Sequence, residues 1–360
     1  GIAMIYRIDL AVGLTGWEAT SVRQIVWTIV AVIAAAAVLL IIKNHLVLFR
    51  YTYLTGLVAV ILLLLPMLPG IGREEFGARV WISVGPFSFQ PGEIAKILLA
   101  IFFAGYLVRN RDALSMVGKK FAGITFPRAR DLGPLLVFWL AAMSVLVFQR
   151  DLGTSLLYFG LFLSMLYIAT GRTGWVVLGG GLFIAGGLIA SQTLDYVNRR
   201  FTNWLDPFHD AQGASYQLVQ GLFGLANGGM SGTGLGQGFP DDTPLSQSDY
   251  IIPSLGEELG LIGLFVILAA YLLFVGRGLR IGFAGQDDFG KLLAAGLAFT
   301  VALQVFIVIG GVTRVIPLTG LTAPFLAAGG SSLISNWIIA ALLLRLSNAV
   351  RNRPKLGIRA

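Results

Sequence analysis

Residues 259–275 read LGLIGLFVILAAYLLFV, seventeen consecutive positions without a charged side chain. As a helix rising 1.5 Å per residue this stretch is about 26 Å long, close to the roughly 30 Å hydrocarbon core of a bilayer. Working outward from it, comparable apolar runs occupy 25–42, 52–68, 91–107, 132–148, 152–169, 175–189, 292–309 and 321–344. Nine transmembrane helices are therefore expected. Composition agrees, with 56% hydrophobic and only 12% charged residues, which excludes an ordinary soluble domain. The expected fold class is an all-α polytopic membrane protein, with residues 1–360 as a single integral membrane domain and 191–250 as a large extracytoplasmic loop within it.

The connections alternate in charge. Lys43 and Arg50, then Arg109, Arg111, Lys119, Lys120, Arg128 and Arg130, then Arg172, Arg277, Arg280 and Lys291, and finally Arg345, Arg351, Arg353, Lys355 and Arg359 fall on one side. That side holds most of the 26 Lys and Arg residues and reads as cytoplasmic by the positive-inside rule. The opposite side carries Arg7, Arg23, Arg73, Arg79, Arg150, Arg199, Arg200 and Arg314, with Lys96 near a span end, together with most of the acids. The net charge of +8 is thus explained by membrane topology, and the basic residues lack the interleaved exposed aromatics of a nucleic-acid groove. No cysteine is present, which removes disulfides, thiolate metal sites and thiol nucleophiles. His45 and His209 fall on opposite sides and cannot share a site. Residues 1–10 lack the apolar core of a cleavable signal peptide.

The interruption at 191–249 is too long for a simple connection. Its apolar residues predict a partly amphipathic helix over 212–226, lying at the interface or re-entering the bundle; the alternative is an unstructured loop. The glycine-rich run 228–238 lacks the Lys-Ser/Thr of a phosphate-binding loop and reads as a turn or a place of close backbone packing. Gly160, Gly174, Gly179, Gly180, Gly181, Gly186 and Gly187 read as sites of helix approach.

Ionisable residues in or beside spans are costly. Glu93 and Lys96, three positions apart, share a helix face and can pair, either as a structural ion pair or as part of a phosphate site. Asp151, in QRDLGT at 149–154, can cap the helix that follows. Glu257 and Glu258 open the seventh span near its positive dipole end. Asp249 ends the long loop just before Tyr250-Ile251-Ile252-Pro253, where water and lipid meet; it reads as a cap, a turn residue or a catalytic carboxylate.

The ordered motifs resemble the SEDS (shape, elongation, division and sporulation) family of polytopic peptidoglycan polymerases, and its elongation member more than its division member. GARVWI at 77–82 followed by FSFQPGEIAK at 87–96 is similar to the family's GARRWI and FSFQPSEIAK. QRDLGT resembles QPDLGT, with Arg150 in place of proline. LDP at 205–207, GASYQ at 213–217, GLGQG at 234–238, SDYII at 248–252, GEELG at 256–260, PLTG at 317–320, PF at 324–325 and GGSS at 329–332 continue the pattern in order. The resemblance implies ten transmembrane helices with both termini inside, so residues 1–9 read as the tail of a shortened first helix.

It further implies glycosyl transfer at the outer face of the cytoplasmic membrane. Lipid II would be polymerised into β-1,4 glycan strands during cell elongation, with inversion at the anomeric carbon and expulsion of a polyprenyl diphosphate. Asp249 matches the family's catalytic aspartate. Arg200 aligns with a family arginine, and with Lys96 it is a candidate diphosphate contact; Arg79 is a weaker one. Glu93 would orient Lys96, while Asp151, Glu257 and Glu258 would be ancillary or structural. A divalent cation could assist, although no dedicated metal cage is visible. The implied partners are lipid II, the growing strand, membrane lipids and a class B penicillin-binding protein that crosslinks the product, with no nucleic acid. A lipid II flippase would need polar residues through the whole bilayer, and a scaffold would have no use for an outward set of acids and cations.

Overall fold

A computed structural model describes residues 1–75, 77–84, 87–115, 120–121, 124–125 and 133–352. Lys119, Arg128, Arg130, Arg353, Lys355 and Arg359, counted above among the loop charges, lie outside the described residues, as do residues 76, 85–86 and the first position of the 132–148 span.

The helices are α1 Ile2–Ala11, α2 Thr20–Ile41, α3 Leu46–Arg50, α4 Thr52–Leu64, α5 Pro91–Ser115, α6 Gly133–Gln149, α7 Leu152–Thr170, α8 Thr173–Thr193, α9 Asp195–Leu205, α10 Tyr216–Gly228, α11 Ile251–Ala284, α12 Asp288–Val312 and α13 Gly330–Arg351. Strands β1 Gly72–Glu75, β2 Ala78–Val84 and β3 Phe87–Phe89 form an antiparallel meander, and β4 Lys120–Phe121 pairs with β5 Ile124–Thr125. Among the described residues seven helices are long and apolar enough to cross a membrane, namely α2, α5, α7, α8, α11, α12 and α13, while α4 and α6 are shorter apolar helices. Every predicted span thus has a helix, the last one over only part of its length, and residues 2–11 add the short first one.

The centre of the bundle is α5, α7 and α12, whose mutual packing buries Ala100, Phe103, Leu161, Phe162, Met165, Leu297 and Val301. Some 72% of the most apolar stretch of α12 is buried, against 11% for that of α11; the outer helices therefore turn large apolar side chains such as Ile33, Val266 and Leu272 outward, as a surrounding of acyl chains permits. Among the glycines read as sites of helix approach, Gly179 meets Leu163 and Gly186 meets Trp139, whereas Gly180, Gly181 and Gly187 face open space.

Two expectations are corrected. The helix expected over 321–344 begins only at Gly330, because Pro324 and the Gly329-Gly330 pair interrupt it and Phe325 adopts φ 64°. Irregular backbone inside a membrane bundle survives only where its polar groups are satisfied. Here Gln304 donates to the Thr322 carbonyl, Tyr271 to that of Pro324 and Gln24 to that of Ala327, while the Ala328 amide donates to the Gln247 carbonyl.

The long loop is folded, as the apolar pattern of 212–226 predicts. Its predicted helix runs from Tyr216 to Gly228 and packs on the start of α11, and α9, a second amphipathic helix, precedes it.

Secondly, Glu257 and Glu258 do not open a helix. α11 starts at Ile251 and breaks at Gly260, with φ 68° and ψ −175°. The break frees the carbonyls of Glu257 and Glu258, which accept from the amides of Thr233 and Gly234, and the amides of Leu261 and Ile262, which donate to Gly229 and Met230. The glycine-rich run is thereby laced into the gap. The Glu257 carboxylate accepts from Asn227 and the Phe239 amide, and that of Glu258 accepts from the Gly236 amide and pairs with Arg7 at 3.2 Å. A Cβ at position 260 would lie 2.2 Å from the Gly232 amide nitrogen and 2.5 Å from the Met230 carbonyl oxygen. Gly260→Ala is expected to destabilise by at least about 1–3 kcal/mol from the strained φ alone, read as a lower thermal transition in detergent; an unchanged transition would mean that the lacing carries no weight.

Candidate active site

A cavity of about 190 Å³ opens where β2, the N-terminal turn of α5, the turn between α6 and α7, α9, the end of the long loop and the irregular 318–328 segment converge. Each element delivers a polar group for a local reason. Asp151 is placed by capping α7, its Oδ1 accepting from the Thr154 amide at 3.0 Å. Arg200, on α9, is held by the carbonyls of Leu318 and Thr319, to which Nη1 donates at 3.0 and 2.9 Å; the irregular segment thus fixes the cation. Asp249 stands just before α11, with its carboxylate 3.5 Å from where a Cβ on Gly320 would lie. Arg150 and Trp81 complete the walls.

Asp249 is half-buried, and among the described residues no group donates a hydrogen bond to its carboxylate. Burial pushes its pKa up to about 7, the Arg200 guanidinium pulls against that shift, and the Asp151 carboxylate adds to it. Burial also raises Asp151, opposed chiefly by the Thr154 amide and then by Arg200. A carboxylate poised near neutrality in a cavity has the electrostatics of a general base.

The sequence candidates divide. Asp249, Arg200, Asp151 and Glu93 line one cavity. Lys96 does not: its ammonium is almost completely buried, 2.5 Å from Glu93 Oε2 and 2.8 Å from Gln304 Oε1. Glu93 in turn accepts from the Ser335 hydroxyl at 2.7 Å. The expected pairing is present, but the direct phosphate contact is not what the geometry offers, because Lys96 is enclosed behind Glu93. Arg79 likewise lies outside the cavity, exposed and paired with Glu74 at 2.9 Å. Glu257 and Glu258 hold the glycine-rich run. Arg150, noted in the sequence as an outward charge and a departure from proline, reaches the cavity from a left-handed backbone with φ 56°; nothing in the sequence announces that it lines the site.

Removing one partner from a buried pair leaves the other charge unpaired. Lys96→Met is therefore expected to destabilise by about 3–5 kcal/mol, rather than to reduce activity in an intact bundle as a phosphate contact would. The double variant Glu93→Gln/Lys96→Met should recover much of that loss. Thermal transitions of the three proteins decide it, and full additivity would break the assignment.

Among the described residues no group of three or more His, Cys, Asp or Glu side chains could hold a metal ion. Asp249 and Asp151 share the cavity with Arg150 and Arg200, and its third carboxylate, Glu93, is paired with Lys96, so this donor set does not fit a resident metal centre.

Residues 1–352 match the FtsW/RodA/SpoVE family of cell cycle proteins. The chain is 49% identical over 357 residues to the peptidoglycan glycosyltransferase RodA of Mycobacterium bovis, covering 98% of this chain and 76% of that one. To the stage V sporulation protein E of Bacillus subtilis it is 35% identical over 294 residues, covering 81% and 77%. Its backbone is similar to a chain from a solved peptidoglycan synthase complex described as coordinating polymerization and crosslinking, with a TM-score of 0.72, 25% identity and coverage of 98% and 96%.

Proposed function

The chain belongs to the FtsW/RodA/SpoVE family, and from that premise we propose that it is an integral enzyme of the bacterial cell membrane, a glycosyltransferase that polymerises lipid II into β-1,4 glycan strands. Identity to RodA over nearly the whole chain supports the elongation role. The single observation that carries the chemistry is Asp249: a carboxylate without an internal hydrogen-bond donor, raised to about 7 by burial, sharing a cavity with Arg200. The cavity faces outward, with the arginine-rich turns at the far end of the helices inside, as the charge bias of the loops supports.

In this reading Asp249 accepts the proton of the acceptor's 4-hydroxyl as its oxygen attacks the anomeric carbon of the donor. Attack from the face opposite the diphosphate inverts the α-linkage to β, and the bond to the diphosphate breaks with its electron pair leaving on the phosphate oxygen. Arg200, fixed by two carbonyls, and Arg150 beside it face that growing charge. Asp151 holds the turn and keeps Asp249 from ionising too readily. A class B penicillin-binding protein would take the strand for crosslinking. The test is polymerisation of lipid II by the purified protein, with and without that partner. Glycan strands are expected, and their absence in both arms removes the reading.

A further inference from the structure

A second and larger opening, of about 580 Å³, lies among the last turns of α5, α7 and α11 and the first turns of α12. Arg111 at its mouth is eighteen residues along α5 from Glu93, about 27 Å at 1.5 Å per residue, so this opening and the Asp249 cavity stand at opposite ends of the helix. Its walls are apolar, with Val108, Ile168, Leu279, Phe283 and Phe299 among them. Ile168 and Phe283 remain exposed, which on helices of a membrane bundle turns the groove toward acyl chains.

The mouth is charged and unbalanced. Arg111 Nη1 lies 3.4 Å from Asp288 Oδ2, and Lys291 Nζ lies 3.5 Å from Oδ1 of the same carboxylate. One acid thus faces two cations across long contacts, and all three side chains are about half exposed. The Arg111 Nε donates to the Ala169 carbonyl at 3.0 Å, which aims the guanidinium across the groove. Asp287, the neighbouring acid, is occupied by His45 and by the Gly290 amide. Arg109, Asp112, Arg172, Arg277 and Arg280 are the other charged residues of the adjoining turns.

We propose that this groove binds an anionic glycerophospholipid, with its phosphate between Arg111 and Lys291 and an acyl chain along Val108, Ile168, Phe283 and Phe299. Charge complementarity selects the headgroup: two cations against one carboxylate leave a positive mouth that attracts a phosphodiester, while the ammonium of a zwitterionic lipid meets like charge. The apolar walls select the lipid over a free anion, since a soluble phosphate would leave them unfilled; their volume lies within the range of small-molecule sites. A lipid seated there touches four helices, and it stabilises the bundle by binding the folded state.

Native mass spectrometry of the purified full chain, offered equal amounts of phosphatidylglycerol and phosphatidylcholine, tests the site. Retention of phosphatidylglycerol is expected to dominate, and Arg111→Gln and Lys291→Gln should each lower that preference about fivefold. Both cations are exposed and loosely paired, so neither change threatens folding, and the thermal transition of each variant checks this. Arg280→Gln, an exposed cation of α11 outside the lining, should leave the preference unchanged. Equal retention of the two lipids overturns the proposal, as does an unaltered preference in both groove variants. An equal loss with Arg280→Gln would show diffuse surface attraction instead, and displacement of the lipid by inorganic phosphate would show a soluble-anion site; either result overturns it.

Discussion

Asp249→Asn is expected to lower the rate of lipid II polymerisation about 10²- to 10⁴-fold, the usual contribution of a general base, while leaving the protein folded. The amide has nearly the same shape as the carboxylate, and among the described residues no hydrogen bond depends on the carboxylate it replaces. The parent enzyme should also show a matching pH dependence. Only the ionised form can accept a proton, and burial places the midpoint at about 7. The rate should therefore rise with pH and reach half its plateau near neutrality, with the acid limb set by protonation of Asp249. A near-parent rate in the asparagine variant, or a profile flat between about pH 6 and 8, ends the assignment of Asp249 and makes Asp151 the next carboxylate to test.

Much of the bundle was legible because a bilayer imposes a length and an apolar composition on each span, and both are visible in a single chain. The failures share one cause. Residues 321–344 are apolar enough to be read as one helix, yet 321–329 is irregular, since its carbonyls are satisfied by Gln24, Tyr271 and Gln304 from helices distant in sequence. The break at Gly260 was hidden in the same way: LGLIG reads as the start of a span, and only the glycine-rich run 229–234, laid alongside, supplies partners for the opened backbone. Hydropathy records which solvent surrounds a segment and is silent about tertiary partners.

The site was legible in part for a related reason. Asp249, Arg200, Asp151 and Glu93 were singled out in the sequence, and the fold brings all four to one cavity. Lys96 was legible as the partner of Glu93, because three-residue spacing on a helix dictates it, but its direction was not. Gln304 and Asn336 draw the ammonium away from the cavity, and neither can be placed beside it from spacing. Arg150 and Arg79 exchange importance: the one quoted as a departure lines the cavity, and the one quoted as a match turns its side chain outward from β2 to Glu74.

Arg200→Gln is expected to reduce polymerisation about 10²- to 10³-fold, the range found when a positioned group that stabilises developing charge is removed, and to displace the pH profile as well. Its charge opposes the effect of burial on Asp249. Without it the aspartate titrates higher, so the acid limb should move to higher pH and part of the lost rate should return in alkaline buffer. What does not return belongs to the diphosphate, which would then leave without a fixed cation. Arg200→Lys separates the two effects further. It keeps the charge, so the limb should stay near its parent position, but a lysine cannot reproduce the planar fork that the Leu318 and Thr319 carbonyls hold, so the rate should recover only partly. If Arg200→Gln lowers the rate with an unmoved limb, its field does not reach Asp249 and the arginine acts on the leaving group alone. If the rate is unchanged, Arg200 merely ties α9 to the irregular segment, and the charge facing the diphosphate must come from Arg150.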